Sequence, residues 1–148
     1  MTSASKIDRE ELRSIADEGL MTNPYNEFET LVQKVETLKT YLVRAASDER
    51  EVTYGDVSSN CGIHPTRRGV LLGFLGIHED RLDDPPLPAI VVSAEDGKKV
   101  GDGYWVMVEK TDGLIDVTPD SEAARRALWC VHRNSVFREW GERQAATR

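Results

Sequence analysis

The sequence lacks any apolar run long enough to cross a bilayer, and it has only two cysteines in 148 residues. The short runs argue against a membrane-spanning helix, and the two cysteines argue against a small disulfide-stapled scaffold. The beginning of the chain, MTSASKIDREELRS, contains no apolar core of a secretory signal. There are no internal repeats and no low-complexity segments. These absences predict a cytoplasmic protein with no membrane association.

Positive charge is also scarce, because 26 acidic residues outnumber 19 basic ones and the net charge is −7. An acidic protein of this kind does not bind nucleic acid through its overall charge alone. A net charge of −7 is still compatible with a local basic face. Hydrophobic residues make up 39% and charged residues 30% of the chain, which is ordinary for a globular protein. The length predicts one domain over residues 26–141, preceded by an arm at 1–25 with a short helix and followed by a tail at 142–148.

Apolar residues at helical spacing predict three helices outside the centre of the chain. The first is a short amphipathic helix from Ile7 to Glu18. The second, from about Glu27 to Ala46 with Asn26 as its cap, is the longest and has the clearest core-facing stripe. The third begins at Thr118-Pro119 near the end of the chain.

The central stretch from Val52 to Gly76, VTYGDVSSNCGIHPTRRGVLLGFLG, is typical of a helix-turn-helix. Thr53 is placed to cap a first helix that ends near Asn60, and Gly62 can adopt the positive φ that ends a helix. Pro65 suits the first position of a second helix. Two arginines follow at once, where a recognition helix would meet a nucleic-acid groove. A helix-turn-helix used only for packing, with two solvated arginines, is the alternative.

A polar loop follows Gly76, and the pattern after it predicts strands at Ala89–Ser93, Tyr104–Glu109 and Leu114–Val117. Hairpin turns are expected at residues 95–98 and 112–113. Two or three strands after a helix-turn-helix form the wing of a winged helix. The predicted fold is therefore α+β: a winged helix-turn-helix with a long N-terminal helix and a C-terminal helix.

Residues 52–103 resemble the DNA-binding domain of the DNA alkyltransferases and alkyltransferase-like proteins. The segment Val52–Ser58 (VTYGDVS) matches the family's V-T-Y-G-x-[IV]-A, and Gly62 and Arg68 keep its Gly-to-Arg separation. Arg68–Leu71 (RGVL) stands for R-A-V-G, and Leu87–Val92 (LPAIVV) falls where P-[CW]-H-R-V-V is expected. The resemblance covers about a third of the chain.

The resemblance implies that Arg68 enters the base stack of DNA and that Tyr54 lies beside a phosphate of a flipped nucleotide. It also implies that alkyl transfer is absent, since Pro88 occupies the position of the family's reactive cysteine. Ala89 and Ile90 replace the histidine and arginine beside it. Alkyl transfer needs a thiolate activated by a neighbouring base.

Two Cys–His pairs and four acidic residues could form metal or catalytic sites or could have only structural roles. Cys61 with His64, and Cys130 with His132, could build a zinc site or a Cys–His nucleophile, but their spacings match no common pattern and buried cysteines are frequent in cores. The acids Glu79, Asp80, Asp83 and Asp84 could bind Mg²⁺, although a solvated acidic loop is the favoured interpretation. We therefore expect no metal and no cofactor.

The sequence as a whole predicts a non-enzymatic DNA-binding protein, regulatory or linked to DNA repair or defence, that binds double-stranded DNA. Its expected contacts are Tyr54, Thr66, Arg67 and Arg68 on the helix-turn-helix, with Lys98 and Lys99 on the wing. The two lysines could equally be ordinary surface residues. The alternative function is a protein-protein interaction module of the same fold that does not bind DNA, which the net charge favours.

Overall fold

The computed structural model describes residues 6–95, 100–111, 119 and 121–146. Within these residues the chain forms helices joined by short connections, with one very small sheet. The elements are α1 (Arg9–Asp17), α2 (Phe28–Ser47), β1 (Val52–Thr53), α3 (Tyr54–Cys61), α4 (Pro65–Arg81), a 3-10 helix (Leu87–Ile90), β2 (Val91–Val92), α5 (Asp102–Glu109) and α6 (Glu122–Ala146).

Helix α2 lies at the centre of the core and confirms the longest predicted helix. Its stripe of Leu31, Val35, Leu38 and Leu42 is fully buried, and the helix packs against α3, α4 and α6. The predicted cap is wrong, because Glu27 occupies the N-cap position and makes no side-chain hydrogen bond there.

The helix-turn-helix is confirmed in its local details. Thr53 and Asp56 form a reciprocal capping box at the start of α3, with both hydrogen bonds at 3.0 Å. Gly62 ends α3 with φ = 64°, a left-handed conformation that glycine adopts without steric cost. Pro65 is the first residue of α4. These signals act within a few residues of one another, so the sequence alone specifies them.

The predicted winged helix is wrong. Residues Asp102–Glu109, expected to hold a strand, form helix α5. The side chains of Tyr104, Trp105, Met107 and Val108 are buried while Val106 is 51% exposed, which is helical spacing and not the alternation of a strand. Burial against α4 thus outweighs the strand preference of this aromatic and β-branched segment.

The sheet of the described residues is a pair of two-residue strands, not a wing. β1 pairs with β2 in parallel, with Val52 opposite Val91 and Thr53 opposite Val92. The segment expected as the first wing strand begins instead as the 3-10 helix. The expected third strand lies outside the described residues, as do Lys98 and Lys99.

Helix α4 is longer than expected, because it continues through the predicted polar loop to Arg81. Ile77, His78 and Glu79 are buried on this extension. The helix then stops at Leu82, followed by Asp83 in a left-handed conformation with φ = 60°.

Helices α1 and α6 complete the core. Helix α1 packs against α4, and α6 packs against α2 and the 3-10 helix. Trp129 and Trp140 of α6 are buried, and the indole N–H of Trp129 donates a 2.7 Å hydrogen bond to the carbonyl of Ala89. No helix in the described part of the chain has both the length and the apolar character needed to cross a membrane.

Candidate functional site

The first turn of α4 is the exposed end of the helix-turn-helix. His64 caps it, with its Nδ1 3.2 Å from the backbone nitrogen of Thr66 and 2.9 Å from the Thr66 hydroxyl. Thr66 and Arg67 are exposed, whereas Arg68 is half-buried. Three of the expected DNA contacts therefore lie on one turn, but only two of them face solvent freely.

The Arg68 side chain turns back towards α3. Its Nη1 donates to the carbonyl of Tyr54 at 3.3 Å and lies 3.2 Å from the hydroxyl of Ser58. Its guanidinium carbon is 5.6 Å from the centre of the Tyr54 ring. Arg68 thus connects the two helices of the motif, a structural role that no local sequence pattern indicates.

The N-terminal arm borders the same helix. Its residues meet α4 in reverse order, with Asp8 bonded to His78 and Tyr25 lying against Arg67, 4.9 Å from ring centre to guanidinium carbon. Between these points Met21 lies so close to Gly73 that a β-carbon there would be 2.5 Å from the methionine methyl. The arm runs antiparallel to α4 and ends beside its exposed first turn.

A cavity of about 370 Å³ opens between the helix-turn-helix and the start of α5. Mostly small and apolar groups line it, with two tyrosines, Thr66 and Arg68 as its polar members. The lining residues are Tyr54, Pro65, Thr66, Arg68, Gly69, Leu72, Gly73, Pro88, Gly101, Gly103, Tyr104 and Met107. The size and mixed lining suit a small molecule or a comparable group of a larger ligand.

Tyr54 fixes one wall of the cavity. Its hydroxyl accepts a 2.9 Å hydrogen bond from the backbone N–H of Gly101. A β-carbon on Gly101 would lie 3.2 Å from that hydroxyl, so a larger residue would press on the tyrosine. Burial raises the pKa of Tyr54, which keeps the hydroxyl neutral and able to donate its proton to a ligand.

Tyr104 and His132 form a buried pair behind the cavity, with the tyrosine hydroxyl 2.6 Å from Nδ1 of the histidine. Burial raises the pKa of Tyr104 well above its ordinary value, and the neighbouring Tyr54 adds to the effect. Burial lowers the pKa of His132. Both groups are therefore neutral near pH 7, and their bond fixes the direction in which the Tyr104 hydroxyl points. Sequence reasoning missed this pair because it placed Tyr104 in a strand.

The two Cys–His pairs do not act together. His64 caps α4 and His132 binds Tyr104, while both cysteines are free thiols. Burial raises the pKa of Cys61 to about 11, opposed in part by the charge of Lys34, so little reactive thiolate is present at neutral pH. Within the described ranges no group of three or more His, Cys, Asp or Glu side chains could hold a metal ion.

A buried ionic cluster occupies the segment expected to be a solvated acidic loop, so that expectation is wrong for Glu79. The Glu79 carboxylate is fully buried, with Oε1 3.0 Å from Nζ of Lys39 and Oε2 3.0 Å from Nδ1 of His78. The other ring nitrogen of His78 accepts a 2.9 Å hydrogen bond from the N–H of Asp8. The cluster ties the arm to α2 and α4.

Asp84 is also largely buried. Its side chain is 11% exposed and pairs with Arg143 of α6. Burial raises the pKa of Asp84, and the bound Arg143 opposes that rise. Neither Glu79 nor Asp84 could be recognised as buried from a run of acids beside prolines.

The site of the described residues is thus a helix-turn-helix whose second helix begins in the open, beside a tyrosine-lined cavity. The arrangement offers hydrogen-bonding groups, an apolar cavity and the positive charges of Arg67 and Arg68. The chain matches no known family model, and comparisons with curated proteins and with solved structures find none that resembles it.

Proposed function

We propose that this chain is a non-enzymatic DNA-binding protein that uses the α3–turn–α4 unit to contact duplex DNA. The observation that carries the proposal is the exposed first turn of α4, where Thr66 and Arg67 face solvent. A second helix that begins in the open after a tight turn can place its first residues in a groove of the duplex.

Local charge supports the proposal despite the net charge of −7. Residues 52–78 contain one acid, Asp56, against two arginines. Asp56 is occupied by the capping box. Lys34 adds a further positive charge at the turn, because its Nζ lies 2.8 Å from the carbonyl of Gly62. The helix-turn-helix therefore carries a small excess of positive charge on an acidic protein, which suits phosphate contacts.

The resemblance to the alkyltransferase-like proteins supports DNA binding without alkyl transfer. Tyr54 and Arg68, the positions that it singles out, both line the cavity, as does Pro88 at the place of the reactive cysteine. Proline offers no nucleophile. The proposal includes a regulatory, repair or defence role in the cytoplasm, where free thiols such as Cys61 and Cys130 are ordinary.

The experiment is a fluorescence anisotropy titration of a short labelled duplex at several salt concentrations, comparing Arg67→Ala with Arg138→Ala. Both arginines are exposed, and Arg138 lies on α6. We expect Arg67→Ala to weaken binding roughly tenfold or more and to reduce the salt slope by about one unit. We expect the matched control to bind like the wild type.

Arg68 needs a stability measurement beside the titration. Its bonds to α3 mean that Arg68→Ala removes structural contacts as well as any DNA contact, at a cost of about 1 kcal/mol. Equal effects of Arg67→Ala and Arg138→Ala would contradict the proposal. Wild-type protein that fails to bind DNA even at low salt would also refute it, and the acidic chain would then be interpreted as a protein-interaction module.

A further inference from the structure

A second cavity, of about 380 Å³, lies on the other side of the first turn of α5. Its floor is aromatic, because Trp105 and Trp129 are only 7% and 2% exposed. Two arginines, Arg125 and Arg126, stand above these rings, with guanidinium carbons 5.9 Å and 5.4 Å from the ring centres. The cavity therefore has an apolar aromatic base with two arginines above it.

The guanidinium groups retain unused hydrogen-bond donors. Nε of Arg125 donates to the carbonyl of Pro119 at 2.8 Å, which leaves both terminal nitrogens unbonded in the described structure. Arg126 is exposed and makes neither a hydrogen bond nor an ion pair with any described residue. By contrast Arg133 on the same helix is bound to Glu51 at 2.9 Å. Planar guanidinium groups with free donors favour phosphate oxygens, which they bind in pairs.

The rings beneath the arginines are held in place. The indole N–H of Trp129 is bonded to Ala89, and Trp105 packs edge to face against Tyr104 with ring centres 5.2 Å apart. Each arginine is therefore restricted by a fixed surface, which lowers the conformational entropy lost when a ligand binds.

The two cavities share the beginning of α5. Gly103 and Tyr104 line the cavity beside α4, whereas Asp102 and Trp105 line the second one. The first turn of α5 therefore lies between the cavity beside α4 and the one beneath Arg125 and Arg126. We propose that these two arginines bind a phosphodiester group of the same DNA that α4 contacts, an inference that rests on the proposed function.

Two carboxylates oppose this contact and provide a test of opposite sign. Asp102 and Glu122 line the cavity as well, so its four charged side chains sum to zero. Neutralising an acid here strengthens phosphate binding, while removing an arginine weakens it. Glu122 lies on α6 and does not line the first cavity, so Glu122→Gln removes a negative charge from the second cavity without changing the lining of the first.

The test combines DNA titration with a direct observation of the site. Arg126→Ala should reduce DNA affinity roughly three- to tenfold and lower the salt slope by about one unit, while Glu122→Gln should raise affinity. Arg138→Ala, an exposed arginine of α6 outside this cavity, is the control and should change neither quantity. Melting temperatures of Arg126→Ala and Arg138→Ala should match the wild type, because both arginines are exposed.

Inorganic phosphate serves as the probe of the site itself, with the indole N–H resonances of Trp105 and Trp129 as the readout. We expect phosphate to shift these resonances in the wild type and not in the Arg125→Ala/Arg126→Ala variant. If DNA binds but Arg126→Ala behaves like Arg138→Ala and phosphate causes no shift, this inference is refuted and the proposed function stands. If phosphate shifts the resonances but the wild type binds no DNA, DNA is refuted as the source of the phosphate and the proposed function fails.

Discussion

The hydroxyl of Tyr54 accepts a 2.9 Å hydrogen bond from the backbone N–H of Gly101. This bond joins the first residue of α3 to the residue that precedes α5. It therefore fixes the helix-turn-helix against the helix that closes the cavity, and it leaves the tyrosine proton available to a ligand.

Tyr54→Phe should lower the free energy of unfolding by about 1 kcal/mol, because the Gly101 amide loses its partner in a partly buried position. The measurement is denaturant unfolding together with hydrogen exchange at the Gly101 amide, which should accelerate. Tyr41→Phe is the matched control, since the Tyr41 hydroxyl accepts a longer 3.3 Å bond from Asn60 in an exposed position. Unchanged exchange at Gly101 would show that this hydrogen bond does not join the two helices.

Lys39→Met and Glu79→Gln should each destabilise the fold by about 3–5 kcal/mol, because each leaves the other charge buried without its partner. The double variant should recover much of that loss, since neither charge then remains. Chemical denaturation of the three variants measures the effect. Arg9→Ala breaks an exposed ion pair with Glu29 and should change stability little. Single variants as stable as this control would mean that Lys39 and Glu79 are not buried together.

His132 should make the protein less stable as the pH falls below about 6.5. Burial lowers the pKa of His132 in the folded state, so in acid the unfolded chain takes up a proton that the folded chain does not. Because only the unfolded chain takes up this proton, acid favours unfolding. The contribution of neutral His132 to the free energy of unfolding is therefore present above the ordinary histidine pKa and is lost as the pH falls below it.

The measurement is the free energy of unfolding of the wild type and of His132→Asn between about pH 7.5 and pH 5. Asparagine keeps an acceptor for Tyr104 but does not titrate, so His132→Asn should lose less stability over this range. His64→Asn, at an exposed cap, should keep the wild-type dependence. A His132→Asn variant with the same loss as the wild type would mean that other groups cause the acid sensitivity.

Local signals made the helix-turn-helix predictable. Thr53, Asp56, Gly62 and Pro65 act on backbone groups within a few residues of themselves, so their effects do not depend on distant packing. The periodicity of α2 was equally readable, because one apolar stripe twenty residues long has a single helical interpretation. The helix-turn-helix carries Thr66 and Arg67, so this part of the site could be predicted from the sequence.

Only the tertiary structure decided the rest. The segment of α5 has strand-forming residues, yet it is helical because that spacing buries Tyr104, Trp105, Met107 and Val108 together. Glu79 is buried because Lys39, forty residues earlier, supplies its counter-charge. The cavity likewise exists because Tyr54 and Gly101 meet across the fold. Each outcome depends on contacts between distant segments, and propensity along the chain does not encode them.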